Sequence, residues 1–126
     1  MKFAKIVFLT AGVYGVVALA PMYFMESMLA DNAQKAFNHP EFFYGFVGVT
    51  LAWQIAFLVI SSDPIKYRLL MYPALFEKIS FVVAIGILYM QNRVGMNMVC
   101  AASIDFVLFL LFVVSIVKTG KVQEQQ

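Results

Sequence analysis

Four long apolar runs constrain the fold of this chain more than any other feature of its sequence. They extend from about residue 6 to 25, 42 to 60, 69 to 90 and 94 to 117. Each run has close to the ~20 residues that an α-helix needs to cross ~30 Å of hydrocarbon. Hydrophobic residues make up 63% of the chain and charged residues 13%, whereas soluble domains are about 45–50% apolar and about 25% charged. The runs therefore predict membrane-spanning helices.

Strand structure is a poor alternative for these runs. A transmembrane β-barrel shows ~10-residue segments that alternate apolar and polar residues, whereas these runs are apolar on all sides. The 126 residues leave room for a single domain. We therefore predict an all-α polytopic membrane protein, with residues 1–126 forming one up-and-down bundle of four transmembrane helices.

The third helix is expected to begin before its apolar run. In the segment SSDPIKYR, Ser62 or Asp63 can cap a helix whose first residue is Pro64, so we predict a helix over about residues 64–90. Pro21 and Pro73 fall inside predicted helices, where proline removes a backbone hydrogen bond. Each is expected to bend its helix, and a hinge is the alternative interpretation.

Basic residues divide unevenly between the two ends of the predicted bundle. One end has Lys2, Lys5, Lys66, Arg68, Lys118 and Lys121, and the other has Lys35 and Arg93. By the positive-inside rule, both termini and the second loop are expected in the cytoplasm.

The first apolar run also imitates a secretory signal peptide. It follows Lys2 and Lys5 and contains the small-residue pattern Ala18-Leu19-Ala20. Pro21 directly follows that pattern, and the apolar stretch continues to Met25. We therefore expect the segment to be retained as a membrane helix.

Charged and polar residues interrupt the apolar runs at one depth. At ~1.5 Å per residue, Glu77 lies roughly 13 Å and Lys78 roughly 15 Å beyond Arg68, and Asp105 lies roughly 19 Å from Lys118. A charge at the bilayer centre costs about 2.5–3.5 kcal/mol on the most lenient scale. We therefore predict one inward-facing polar layer to which all four helices contribute: Tyr14, Gln54, Glu77, Lys78 and Asp105.

Within this layer, Lys78 and Asp105 are the predicted ion pair across adjacent antiparallel helices. Glu77 points about 100° away from Lys78 around its helix, so we expect it to be uncharged and hydrogen-bonded to Gln54 or Tyr14. Two interpretations stay open. The pair stabilises and registers the bundle, or the layer is a site for a proton, an ion or an amphipathic ligand.

The second helix carries two further sets of residues. The small residues Gly48, Ala52 and Ala56 recur every four positions, a stripe that lets another helix approach closely. We expect this stripe to pack within the chain, with a homodimer or a partner membrane protein as the alternative. The predicted pocket lining comprises Thr50, Trp53 and Ser80.

Several classes of function find no support in the sequence. His39 and Glu41 supply at most two metal ligands, so no metal and no cofactor is expected. The lone Cys100 cannot form an intramolecular disulfide and is expected to be a small core residue. The net charge of +2 and the scattered basic residues argue against nucleic-acid binding.

The block HPEFFYGFVGVTLAWQIAFLVISSDPIKYRLLMYPALFEK resembles small bacterial inner-membrane proteins. This resemblance implies a bacterial inner membrane and no particular activity. The four-helix plan with buried acidic groups is similar to the EXPERA domain of the sterol-isomerase and sigma-2-receptor type, whose carboxylates receive amphipathic amines or sterols. Small multidrug-resistance transporters are similar in length, but their glutamate lies within the first helix, where this chain has no acid.

Three functions follow as hypotheses. The first is a non-enzymatic protein of the lipid bilayer that binds a lipid-like ligand or a partner helix through the polar layer. The second is a proton-coupled transporter acting as a dimer. The third is an enzyme on a lipidic substrate, with Glu77 and Asp105 as acid and base.

Overall fold

The computed structural model describes residues 2–24 and 40–125. Helix α1 spans Lys2–Leu19 and continues as a 3-10 helix over Ala20–Phe24; helix α2 spans Pro40–Ser62. A 3-10 turn over Arg68–Leu70 leads into helix α3, Met71–Met90, and helix α4 spans Met96–Glu124. These described residues contain no strand. All four helices are long and apolar enough to cross a membrane, which confirms the all-α prediction.

The third helix begins later than expected. The Asp63 side chain accepts the Lys66 backbone N–H at 3.2 Å, and its carbonyl accepts that of Tyr67 at 3.1 Å. These bonds close a turn, so the prediction that Pro64 starts the helix is wrong. Pro73 consequently lies in the first turn of α3, where its missing N–H has no intrahelical partner to lose.

The fourth helix is longer than its apolar run, because it continues through polar residues to Glu124. Its last turns are bonded to the connection between α2 and α3, where the Gln123 amide donates to the Ile65 carbonyl at 3.3 Å. At the other end, Asn92 adopts a φ of 58° and the Arg93 N–H bonds back to the Leu88 carbonyl at 2.9 Å. This left-handed residue ends α3 and reverses the chain, so that α3 and α4 become antiparallel neighbours.

The bundle consists of two helical hairpins, α1 with α2 and α3 with α4. The two hairpins meet mainly where α1 packs on α4, whereas α2 and α3 touch little. Three fully buried phenylalanines join the helices at this junction. The Phe8 and Phe112 rings stack with centroids 4.2 Å apart, and Phe57 stands edge-on to Phe112 at 5.1 Å. The apolar core is therefore centred on α1, α2 and α4.

Glycines of α1, and not the stripe on α2, allow the closest helix approach. A Cβ at Gly12 would lie 2.6 Å from Leu58 Cδ2 and 2.9 Å from the Gln54 carbonyl oxygen. In contrast, Ala52 is exposed, and among the described residues a Cβ at Gly48 would meet only the Tyr23 hydroxyl, at 3.3 Å. Gly48 and Ala56 are half-buried, and the buried face of α2 carries Gln54 and Phe57, so the closest contact with α1 does not involve this stripe.

We predict that Gly12→Ala destabilises the bundle by about 1–3 kcal/mol, because the new methyl group overpacks against backbone that has no room to move. Alanine itself favours a helix over glycine by about 1 kcal/mol, so the loss comes from packing. Unfolding in a mild detergent, followed by circular dichroism, measures the change.

The matched control for that variant is Gly45→Ala on α2, where a Cβ meets no atom of residues 2–24 and 40–125 within 4 Å. This control should unfold at the same denaturant concentration as wild type or at a higher one. Equal behaviour of the two variants would contradict the close α1–α2 approach.

Candidate functional site

A buried ion-pair cluster surrounds the ammonium group of Lys78. Lys78 is 3% exposed and donates a hydrogen bond of 3.2 Å to Asp105 Oδ1. Glu77 Oε2 lies 3.7 Å from the same Nζ atom, and the Phe57 ring centroid lies 5.2 Å away. The predicted Lys78–Asp105 pair is therefore present, and it links α3 to α4 beside an aromatic ring of α2.

Glu77 takes part in this cluster, contrary to the expectation that adjacent residues do not meet. The Cβ atoms of Glu77 and Lys78 do point about 100° apart. The lysine side chain is long, however, and a carboxylate on a two-carbon stem can reach back towards it. One ammonium thus serves two carboxylates, each on a side chain that is 16% exposed.

Gln54 is buried as predicted, but it does not bind Glu77. It is 2% exposed, and its amide nitrogen donates to the Thr50 carbonyl at 3.0 Å. Its Oε1 atom has no hydrogen-bond partner in the described part of the chain and lies where a Cβ at Gly15 would clash. Gln54 therefore occupies the α1–α2 contact instead of joining the cluster.

Tyr14 does not belong to the interior. Its side chain is 42% exposed, because the buried face of α1 carries Ala11, Gly12 and Gly15. Depth counting placed Tyr14 at the level of the cluster, but depth alone does not give the rotation of a helix about its axis. The prediction that Tyr14 faces the polar layer is wrong.

The residues predicted to line a pocket lie in other places. Thr50 and Trp53 are half-buried, and the Trp53 ring packs 6.5 Å from that of Phe57, on the aromatic core. Ser80 is exposed and donates to the Glu77 carbonyl at 3.1 Å. None of these three residues borders the groove between α3 and α4.

That groove is open, has a volume of about 390 Å³ and is lined almost entirely by apolar side chains. Its walls include Val82, Ile85, Gly86 and Tyr89 of α3, with Ala102 and Phe106 of α4. Val82 follows Lys78 by four residues and Ala102 precedes Asp105 by three, so the groove begins about one helical turn from the ion pair. Gly86 and Ala102 are the sequence signal, since small side chains in the walls of the groove leave space between the helices.

Two further observations concern Cys100 and possible metal ligands. Cys100 is exposed, because it lies on the side of α4 away from the buried Ala102, so its expected place in the core is wrong. Within residues 2–24 and 40–125, no group of three His, Cys, Asp or Glu side chains is placed to hold a metal ion. His39 lies outside the described residues.

The fold and the cluster together define a class: a four-helix bundle of membrane-crossing dimensions with a buried Lys78 salt bridge. Comparison of the chain with protein-family models, with curated protein sequences and with solved structures finds no match. The likeness to bacterial inner-membrane proteins, to EXPERA domains and to small multidrug-resistance transporters therefore stays a sequence-based expectation.

We predict that Lys78→Met destabilises the protein by about 3 kcal/mol, because it leaves two partly buried carboxylates without their cation. Asp105→Asn should cost less, since Glu77 still lies 3.7 Å from the ammonium. Unfolding free energies in detergent measure both variants.

The exposed Lys66 provides the matched control. Lys66→Met should stay within about 0.5 kcal/mol of wild type, as is usual for surface changes. If Asp105→Asn lowers the free energy of unfolding as much as Lys78→Met does, Glu77 and Asp105 do not share the Lys78 ammonium group.

Proposed function

We propose that this chain is a non-enzymatic, multi-pass protein of the bacterial inner membrane that binds an amphipathic, lipid-like ligand. The ligand's apolar body lies in the α3–α4 groove and its polar head lies at the cluster of Glu77, Lys78 and Asp105. One observation carries the proposal: the apolar groove begins about one helical turn from a buried charged cluster, on the same helix faces.

The cluster supports a polar head group because its acceptors outnumber its donors. The two carboxylates offer four oxygen atoms, whereas one ammonium group offers three N–H donors. Glu77 Oε2 is buried and accepts no hydrogen bond from the described residues. An acceptor without a hydrogen-bond donor has capacity for one, so a ligand hydroxyl, amide or ammonium group that reaches Glu77 would add the missing bond.

The groove supports an apolar body of limited size. Small-molecule sites commonly have volumes of about 300–1,000 Å³, and the volume here is about 390 Å³. Its walls are aliphatic and aromatic, with Tyr89 and Ser103 as the polar members. Such walls suit an acyl, isoprenoid or sterol-like body better than a polar solute.

Binding is favoured over acid–base catalysis because Lys78 contacts both carboxylates. Its ammonium group donates to Asp105 at 3.2 Å and lies 3.7 Å from Glu77, so neither carboxylate is left as an unpaired base. The arrangement supports a recognition role for both.

The proposed orientation places both termini in the cytoplasm. Among the described residues, one end of the bundle carries Lys2, Lys5, Lys66, Arg68, Lys118 and Lys121, and the other carries Arg93. Positive charge of this kind marks the cytoplasmic face. The groove then opens in the outer half of the membrane.

A proton-coupled transporter is the second candidate, and one observation favours it. Two carboxylates share one ammonium group, so the cluster has room for a proton that neutralises it. Proton movement into vesicles containing the purified protein, abolished by Glu77→Gln with normal expression, would favour transport over ligand binding alone.

We predict that Gly86→Trp removes a ligand that copurifies with wild type. Gly86 lines the groove and a Cβ there meets no atom of the described residues within 4 Å, so we expect an indole at this position to occupy the groove. Native mass spectrometry in mild detergent should show wild type with an added mass of lipid-like size and Gly86→Trp without it.

Gly45→Trp is the control, because a Cβ at Gly45 likewise meets no described atom within 4 Å but Gly45 lies on α2. It should keep the added mass. A wild-type protein that carries nothing, or loss of the ligand in both variants, would count against the groove as a binding site.

A further inference from the structure

Arg68 forms a second polar feature, at the basic end of the bundle. It lies in the 3-10 turn that leads into α3. Its Nε atom donates to Thr119 Oγ1 at 3.2 Å and to the Ile116 carbonyl at 3.3 Å, and its Nη2 atom donates to the same carbonyl at 3.0 Å. The guanidinium group is thereby fixed against the last turns of α4.

A glycine on α4 provides the space for this guanidinium group. A Cβ at position 120 would lie 2.7 Å from Arg68 Nη2, so Gly120 leaves the room that the group occupies. The Arg68 Cζ atom also lies 5.8 Å from the Tyr72 ring centroid. Thr119, which accepts from Nε, is fully buried. These contacts orient the side chain before any ligand binds.

All partners of this fixed cation are neutral. Within residues 2–24 and 40–125, no carboxylate forms an ion pair with Arg68, in contrast to Lys78, and its Nη1 atom donates to none of these residues. A guanidinium group binds carboxylate or phosphate through charge-assisted hydrogen bonds. The positive charge of Arg68 is therefore not compensated by these residues, and its Nη1 atom can donate to an anion.

The surroundings of Arg68 indicate which anion. Leu69 is 78% exposed and Tyr72 is 47% exposed, so apolar surface adjoins the cation at the end of the third span. A phospholipid presents this same combination, a phosphate next to acyl chains, at the depth where the span ends. Lys66 and Lys121 add positive charge at this end of the bundle.

We propose that Arg68 binds the phosphate of an anionic phospholipid in the leaflet at the basic end of the bundle. The inference rests on the proposed membrane insertion and is independent of the α3–α4 groove, which opens towards the other end. The bound lipid would hold the α2–α3 connection and the end of α4 together at the membrane surface.

Titration of delipidated protein with phosphatidylglycerol, followed by native mass spectrometry in mild detergent, tests the proposal. Wild type should bind one phosphatidylglycerol before any others. Arg68→Gln should weaken this first binding by about tenfold or more, the usual effect of losing a charge-assisted hydrogen bond. Lys66→Gln, the same loss of charge on an exposed neighbouring side chain, should leave the first binding within about threefold of wild type.

Three comparisons make the result decisive. Phosphatidylcholine, which has the phosphate but no net charge, should bind wild type more weakly than phosphatidylglycerol, and inorganic phosphate at equal concentration should not compete. Equal losses in Arg68→Gln and Lys66→Gln would show diffuse attraction and overturn the proposal, as would competition by inorganic phosphate. If Arg68→Gln does not fold, Arg68→Lys replaces it, because lysine keeps the positive charge but lacks the paired N–H donors of a guanidinium group. Arg68→Lys should still weaken the binding of the first phosphatidylglycerol. Undiminished binding would refute the site.

The two proposals fail separately. Gly86→Trp should lose the groove ligand and keep the first phosphatidylglycerol, whereas Arg68→Gln should do the reverse. Loss of both in either variant would mean that one lipid accounts for both observations, and the Arg68 site would then be withdrawn.

Discussion

The Lys78 ammonium group is the constraint on which the rest of this structure depends. A charge surrounded by apolar helices must be paired within the protein, and only one rotation of α3 directs Lys78 towards α4. Asp105 Oδ1 lies 3.2 Å from the Lys78 Nζ atom, so the pair fixes the register of the two antiparallel helices. Phe57 lies beside the same ammonium group and is packed against Phe8 and Phe112. The Phe57 ring therefore contacts both the charged cluster and the apolar core, and it fixes the position of one relative to the other.

Much of this could be predicted from the sequence, because depth and pairing follow from residue counts. The apolar runs predict the helices, and counting 1.5 Å per residue brings Lys78 and Asp105 to similar depths. The rotation of each helix about its own axis could not be predicted in this way. The hydrophobic pattern of a helix that is apolar on all sides does not indicate which face is buried. Tyr14 and Ala52 consequently turned out to face outwards. The role of Glu77 depends on side-chain reach, which spacing around a helix does not describe.

The groove and the Arg68 contact were also beyond sequence reasoning, and for a related reason. Both depend on small residues whose effect appears only when two helices are placed together. Gly86 leaves a wall of the α3–α4 groove open, and Gly120 leaves space for a guanidinium group from another helix. The two features lie towards opposite ends of the same helix pair. The α3–α4 hairpin thus combines a cation paired within the chain and a cation left free for an anion from outside.

The most direct test of this account is the environment of the Lys78 ammonium group in a lipid bilayer. Solid-state nuclear magnetic resonance of protein labelled with ¹⁵N at lysine Nζ and ¹³C at side-chain carboxyl carbons measures which carboxyl groups lie near it. Subtraction of the Lys78→Met spectrum assigns the signal. We expect short contacts to one aspartate and one glutamate carboxyl carbon, in keeping with N–O distances of 3.2 and 3.7 Å. A Lys78 signal with no carboxyl contact, or one typical of a water-exposed lysine, would contradict it.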